Sequence, residues 1–126
     1  MTLNIIRMEL ARDQDYPDGS HENGYEFVLP LNAEGSIDTD GWRKNKKRCR
    51  VRRFWEDEPD EQGHVVRRPG GTWAFHYDLR GDPDEDEPGY KFDSHVFRPG
   101  EYVSLREQDG EMRTFQIVFV KPAPVR

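Results

Sequence analysis

Apolar and polar residues alternate with period two along most of the chain, which is the pattern of strands that lay one face on a core. Ile6, Met8 and Leu10 alternate with Arg7 and Glu9, and after the turn-rich residues 13–20 the pattern resumes at Tyr25, Phe27 and Leu29. Residues 49–55 put Cys49, Val51, Arg53 and Trp55 on one face and Arg50, Arg52 and Phe54 on the other. Residues 63–68 and 72–79 read as a strand pair joined by Pro69-Gly70-Gly71. In the second of these, Trp73, Phe75, Tyr77 and Leu79 form the inward face and Thr72, Ala74, His76, Asp78 and Arg80 the outward one. Short strands follow at 90–92 and 95–97, then a hairpin of 101–106 with 112–121 around Gln108-Asp109-Gly110.

One helix interrupts this series. Asp38 or Thr39 can cap a first turn, and the helix is predicted to run to Arg48, anchored by Trp42 and weakened by Gly41. With no βαβ spacing, the elements predict a mainly β fold, a small antiparallel barrel or sandwich of about seven or eight strands with one short helix. A barrel is preferred because closure removes exposed sheet edges. The 126 residues match the size of a single domain, and the acidic runs read as loops within it.

Composition sharpens this picture. Charged residues (35%) outnumber hydrophobic ones (33%), so the aromatics, at 12% of the chain, must supply much of the core. No stretch is long and apolar enough to span a membrane, the N-terminus lacks signal-peptide form, and Cys49 stands alone. A cytoplasmic protein without membrane contact is therefore expected. The net charge of −6 hides an uneven distribution: residues 43–53 hold eight basic residues in eleven positions, leaving 11 basic against 25 acidic residues, or −14, elsewhere. Such a bipolar chain suits an anionic or protein partner, a second copy of itself, or its own acidic loops.

Several groups are candidates for chemistry. The basic segment, with Arg50, Arg52, Arg53 and the neighbouring Trp42, Phe54 and Trp55, has cations for phosphates and aromatic faces for bases. Charge runs more often serve as solvated faces, and residues 56–61 offer acids to neutralise this one across a turn. Arg53, on the face of Cys49 and Val51, needs a carboxylate or an anionic ligand as partner. His76 and Asp78 project from one strand face at a spacing that suits acid–base work or two metal ligands, although no third ligand is specified.

Asp82, Asp84 and Asp86 begin like a calcium loop, but Glu87 stands where the turn requires glycine and Asp93 where glutamate is needed. Cys49 has basic neighbours that favour a thiolate, yet its strand position favours burial. No metal and no catalytic residue is assigned.

Residues 97–105, Phe-Arg-Pro-Gly-Glu-Tyr-Val-Ser-Leu, followed by Arg113-Thr114-Phe115, resemble the flavin-binding barrel of the ferredoxin-reductase-like flavoproteins. That resemblance implies a barrel strand start at Pro99-Gly100 and a flavin stacked on the position of Phe115. The sequence departs from the pattern at Glu101, Phe115 and Gln116, and too little chain follows for the family's nucleotide domain, so no cofactor is expected.

Two functional readings follow. The preferred one is a non-catalytic binding or accessory module using the basic-aromatic segment. The alternative is a small barrel enzyme or ligand-binding protein with a polar pocket around His76 and Asp78.

Overall fold

A computed structural model describes residues 2–79, 86–89, 92–107 and 109–124. Among these, eight strands form one antiparallel sheet: β1 (Thr2–Leu10), β2 (Ser20–Leu31), β3 (Arg50–Trp55), β4 (Glu58–Arg67), β5 (Trp73–Tyr77), β6 (Glu87–Pro88), β7 (Tyr102–Arg106) and β8 (Met112–Pro122). Every strand pairs with its sequence neighbour except β6 with β7, and β8 returns to pair with β1. The sheet is an up-and-down meander nearly closed into a barrel. Its remaining seam, between β6 and β7, is bridged at Gly89 and Leu105.

The period-two pattern explains the interior. Ile6, Met8, Tyr25, Phe27, Leu29, Val51, Phe75, Val103, Leu105, Phe115 and Ile117 are all essentially inaccessible, each an inward position of its strand. Aromatic rings occupy the centre. Phe27 and Phe75 lie 5.1 Å apart, Tyr25 and Phe115 also 5.1 Å, and Phe92 lies 5.6 Å from Phe97. Many large rings at contact distance build a core from few positions, as this hydrophobic-poor chain requires.

Four local expectations are corrected. The helix is shorter: α1 (Thr39–Lys44) is capped by Asp38, whose Oδ1 accepts from the Gly41 amide at 2.9 Å, and a separate 3₁₀ turn covers Lys46–Arg48. Asn45 ends α1 by turning its side-chain amide back to the Gly41 carbonyl at 2.8 Å. Trp42 alone anchors this element, its ring 5.0 Å from Trp73 and its Nε1 donating to the Val65 carbonyl.

Secondly, β4 begins at Glu58, well before residue 63, because Glu58 and Asp60 are held by arginines of β3. A two-residue turn at Glu56 and Asp57 therefore joins the strands, with Trp55 opposite Glu58.

Thirdly, β5 stops at Tyr77 and Leu79 is fully exposed. Beyond the Tyr77 pairing with Gly63 the chain turns, so alternation no longer directs a side chain inward. Finally, Phe92–Ser94 is a 3₁₀ turn and residues 95–97 are not a strand, although Phe92 and Phe97 are buried; positions 90 and 91 of the predicted strand lie outside the described residues. The acidic positions Asp82 and Asp84, like Arg80, lie outside the described residues.

Candidate functional site

The basic segment divides at Cys49. On β3, every arginine has carboxylate partners: Arg50 meets Asp78 at 3.4 Å, Arg52 meets Asp60 at 2.9 Å and Glu26 at 3.2 Å, and Arg53 meets Glu58 at 3.1 Å. Arg43 pairs with Asp40 at 2.8 Å. Among the described residues no carboxylate lies within 4.0 Å of Lys44, Lys46, Lys47 or Arg48. These four cations, with Arg43 and Asn45, border a shallow concavity of about 410 Å³.

The aromatic side chains of this region are already engaged. Trp42 is buried, Arg53 lies over Trp55 at 4.3 Å, and Phe54 is covered on the outer wall by Arg7 at 4.2 Å and Arg52 at 5.1 Å. Cys49 is buried, and burial pushes its thiol up to about 11 despite Arg48 nearby, which opposes the thiolate form.

His76 on β5 and Asp78 just beyond its end are both partly exposed, but they have different partners. His76 Nδ1 lies 2.6 Å from Asp86, while Asp78 meets His64 Nδ1 at 2.9 Å and Arg50. Burial acts upward on Asp78, yet His64 and Arg50 bring its pKa below the ordinary aspartate value. Arg53 points the other way, toward the interior, so the structure does not bring Arg53, His76 and Asp78 together. Among the described residues no group of three or more His, Cys, Asp or Glu side chains is arranged to hold a metal.

The sequence reading missed a polar cluster inside the barrel. Among the described residues Glu87 and Glu107 are the buried carboxylates of the interior, only 1% and 6% exposed. The phenol of Tyr77 donates to Glu87 Oε1 at 2.5 Å, and the phenol of Tyr25 contacts Glu87 Oε1 at 3.0 Å and Glu107 Oε2. Arg53 Nε and Arg113 Nε each approach Glu107 at 3.5 Å.

Burial pushes Glu87 up to about 7, reinforced by Glu107 and opposed by the two phenols and Arg53. Burial likewise raises Tyr25 and Tyr77 well above an ordinary phenol. At Arg53 burial alone would lower the pKa, but Tyr25, Glu107 and Glu87 raise it, so the guanidinium stays charged. Glu87 belongs to an acidic run that reads as a loop and Glu107 to a hairpin end. Neither position carries a local signal of burial, and only closure of the barrel makes one.

A surface concavity of about 520 Å³ lies on the outer side of β1 and β8 between Arg12, His21, Tyr102 and Gln116. Phe115, the position at which the flavoprotein resemblance implies a stacked flavin, is fully buried between Tyr25 and Trp55. Comparison of the chain with protein-family models, curated proteins and solved structures found no match.

Proposed function

We propose that this barrel is a non-catalytic binding module that docks an acidic protein surface through the knuckle formed by residues 43–48. The observation that supports it is the split of the basic segment: the β3 arginines are neutralised within the molecule, whereas Lys44, Lys46, Lys47 and Arg48 project without a carboxylate among the described residues. Cations gathered in one short stretch attract and orient an anionic partner.

Charge also favours an acidic protein patch over nucleic acid. The rings that would stack on bases are buried or covered by the protein's own arginines. Setting aside the five cations of residues 43–48, the net charge of −6 becomes −11, so a long polyanion extending past the knuckle would meet repulsion. The alternative of an acid–base site at His76 and Asp78 has less support, because both side chains are engaged on the outer wall.

The test is a binding titration at low salt with a glutamate-rich peptide and, in parallel, a single-stranded oligonucleotide of equal charge. The peptide is expected to bind with salt-sensitive affinity, weakened at least about tenfold by the triple variant Lys44→Glu, Lys47→Glu, Arg48→Glu. Peptide binding that is absent, or unchanged in the variant, refutes the reading. Preference for the oligonucleotide would reassign the knuckle to nucleic acid.

A further inference from the structure

Among the described residues the barrel has one incompletely paired joint, and the buried Glu87 and Glu107 meet there. β6 is two residues long and pairs with β5 through Ala74 opposite Pro88 and Phe75 opposite Glu87. Across the seam the described residues show a single antiparallel bridge, Gly89 to Leu105. Extending that register by two residues sets Glu87 opposite Glu107, one carboxylate on each lip. Tyr25, projecting from β2 on the far wall, reaches both.

Protons can be counted in this cluster. Three contacts run in a chain from Tyr77 to Glu87, from Glu87 to Tyr25 and from Tyr25 to Glu107. Each is a hydrogen bond only if it contains a proton, and the two phenols supply one each. The third must reside on a carboxyl group. Glu87 is the one that holds it, because its close partners are phenols, whereas Glu107 has the guanidinium groups of Arg53 and Arg113. Among the described residues neither guanidinium comes within 4.0 Å of Glu87.

We propose that Glu87, Tyr25 and Glu107 form a proton-dependent latch on the barrel seam, closed while one proton is held between the two lips and loosened when that proton leaves. Losing the proton removes a hydrogen bond and sets a second negative charge beside Glu107 in a site sealed from water. The surrounding charges do not compensate. Arg53 from β3 already faces Glu58 and Glu107, and across the β3–β4 ladder it is paired in register with Glu61. Arg113 from β8 faces Asp13 at 3.0 Å, Asp15 at 3.2 Å and Asp109 at 4.0 Å. Tyr77 on β5 and Tyr25 on β2 complete the shell, both held protonated by burial. Among the described residues a single bridge joins the seam, so the cost of deprotonation falls on it first.

Amide hydrogen exchange read by mass spectrometry from about pH 5 to about pH 8, corrected for the intrinsic rate, tests the latch. Segments 86–89 and 102–107 report on the seam, and 50–55 and 63–67 on the continuous sheet. An open seam lets Glu87 ionise as an ordinary glutamate, so seam opening should increase by up to roughly tenfold per pH unit and level off above about 7. The reference segments should not follow. Glu87→Gln, which keeps an uncharged acceptor for Tyr77, should flatten this dependence.

The latch is refuted if seam and reference segments change in parallel, or if Glu87→Gln retains the full pH dependence. Should that variant not fold, carboxyl-carbon NMR of the unaltered protein decides. A glutamate titrating near neutrality in step with seam exchange supports the latch, and the absence of one overturns it.

Discussion

Tyr77 and Glu87, neighbours on β5 and β6, share a 2.5 Å hydrogen bond in which the phenol donates to a buried carboxyl oxygen. Burial pushes Glu87 up to about 7, above the value an unfolded glutamate shows. The native state therefore holds this proton more tightly than the unfolded state does. Its stabilising contribution is complete below the ordinary glutamate pKa and is lost as pH rises to about 7. Urea titrations of the native protein and Glu87→Gln at intervals between about pH 5 and pH 8 should show native stability falling relative to the variant up to neutrality, then running parallel. A difference that stays constant across the range would rule out a raised Glu87.

Phe75 is fully buried and touches three other rings, Tyr25 at 5.2 Å, Phe27 at 5.1 Å and Phe92 at 5.8 Å. Phe75→Ala removes contacts to all three, and the barrel wall cannot collapse to fill the space. A loss of about 3–5 kcal/mol is expected in denaturant titrations. The adjacent His76→Ala should cost less, about 1 kcal/mol, by leaving Asp86 without its imidazole partner. The reverse order would contradict the inward and outward faces of β5.

Gly63 faces β5 so closely that an added Cβ would lie 2.0 Å from the His76 carbonyl oxygen. Backbone cannot yield there without breaking the β4–β5 ladder. Gly63→Ala is expected to cost more than about 2 kcal/mol. Gly70→Ala in the turn meets open space but a φ of 93°, so its cost of about 1 kcal/mol is conformational alone. Equal losses for the two variants would refute the steric account.

Arg53 and Arg52 are adjacent, yet their removal should differ. The Arg53 side chain is 11% exposed, holds Glu107 and Glu58 and covers Trp55. Arg53→Met leaves Glu107 buried with less compensation, an expected loss of about 2–4 kcal/mol. Arg52 is 33% exposed, and Arg52→Met should cost less than about 1 kcal/mol. Comparable values in equilibrium unfolding would mean that Arg53 does not support the interior cluster.

Some of the site was legible in the residue order, and some was not. Alternation correctly turned Arg53 inward with Cys49 and Val51, and His76 outward, because side-chain direction in a strand depends only on local geometry. Residues 56–61 contain the acids that neutralise part of the basic segment, as their proximity along the chain suggests. Leu79 was misread because the same alternation has no means of showing where pairing stops. Glu87 and Glu107 were invisible for a related reason: both are acidic residues in hydrophilic surroundings, and neither belongs to a long alternating strand.

The sequence by itself determined the β class, the inward aromatic faces, a helix cap at Asp38 or Thr39 and the glycine turns, since each follows from interactions spanning a few residues. Tertiary structure decided everything that depends on which strands meet. It brought Tyr25 to Glu107, 82 positions away, and set the two carboxylates across the seam. It also covered Trp55 and Phe54 with the protein's own arginines, leaving Lys44, Lys46, Lys47 and Arg48 without a carboxylate among the described residues. Burial and ion pairing are properties of the nearly closed barrel, and strand order is set by the whole chain competing for one core.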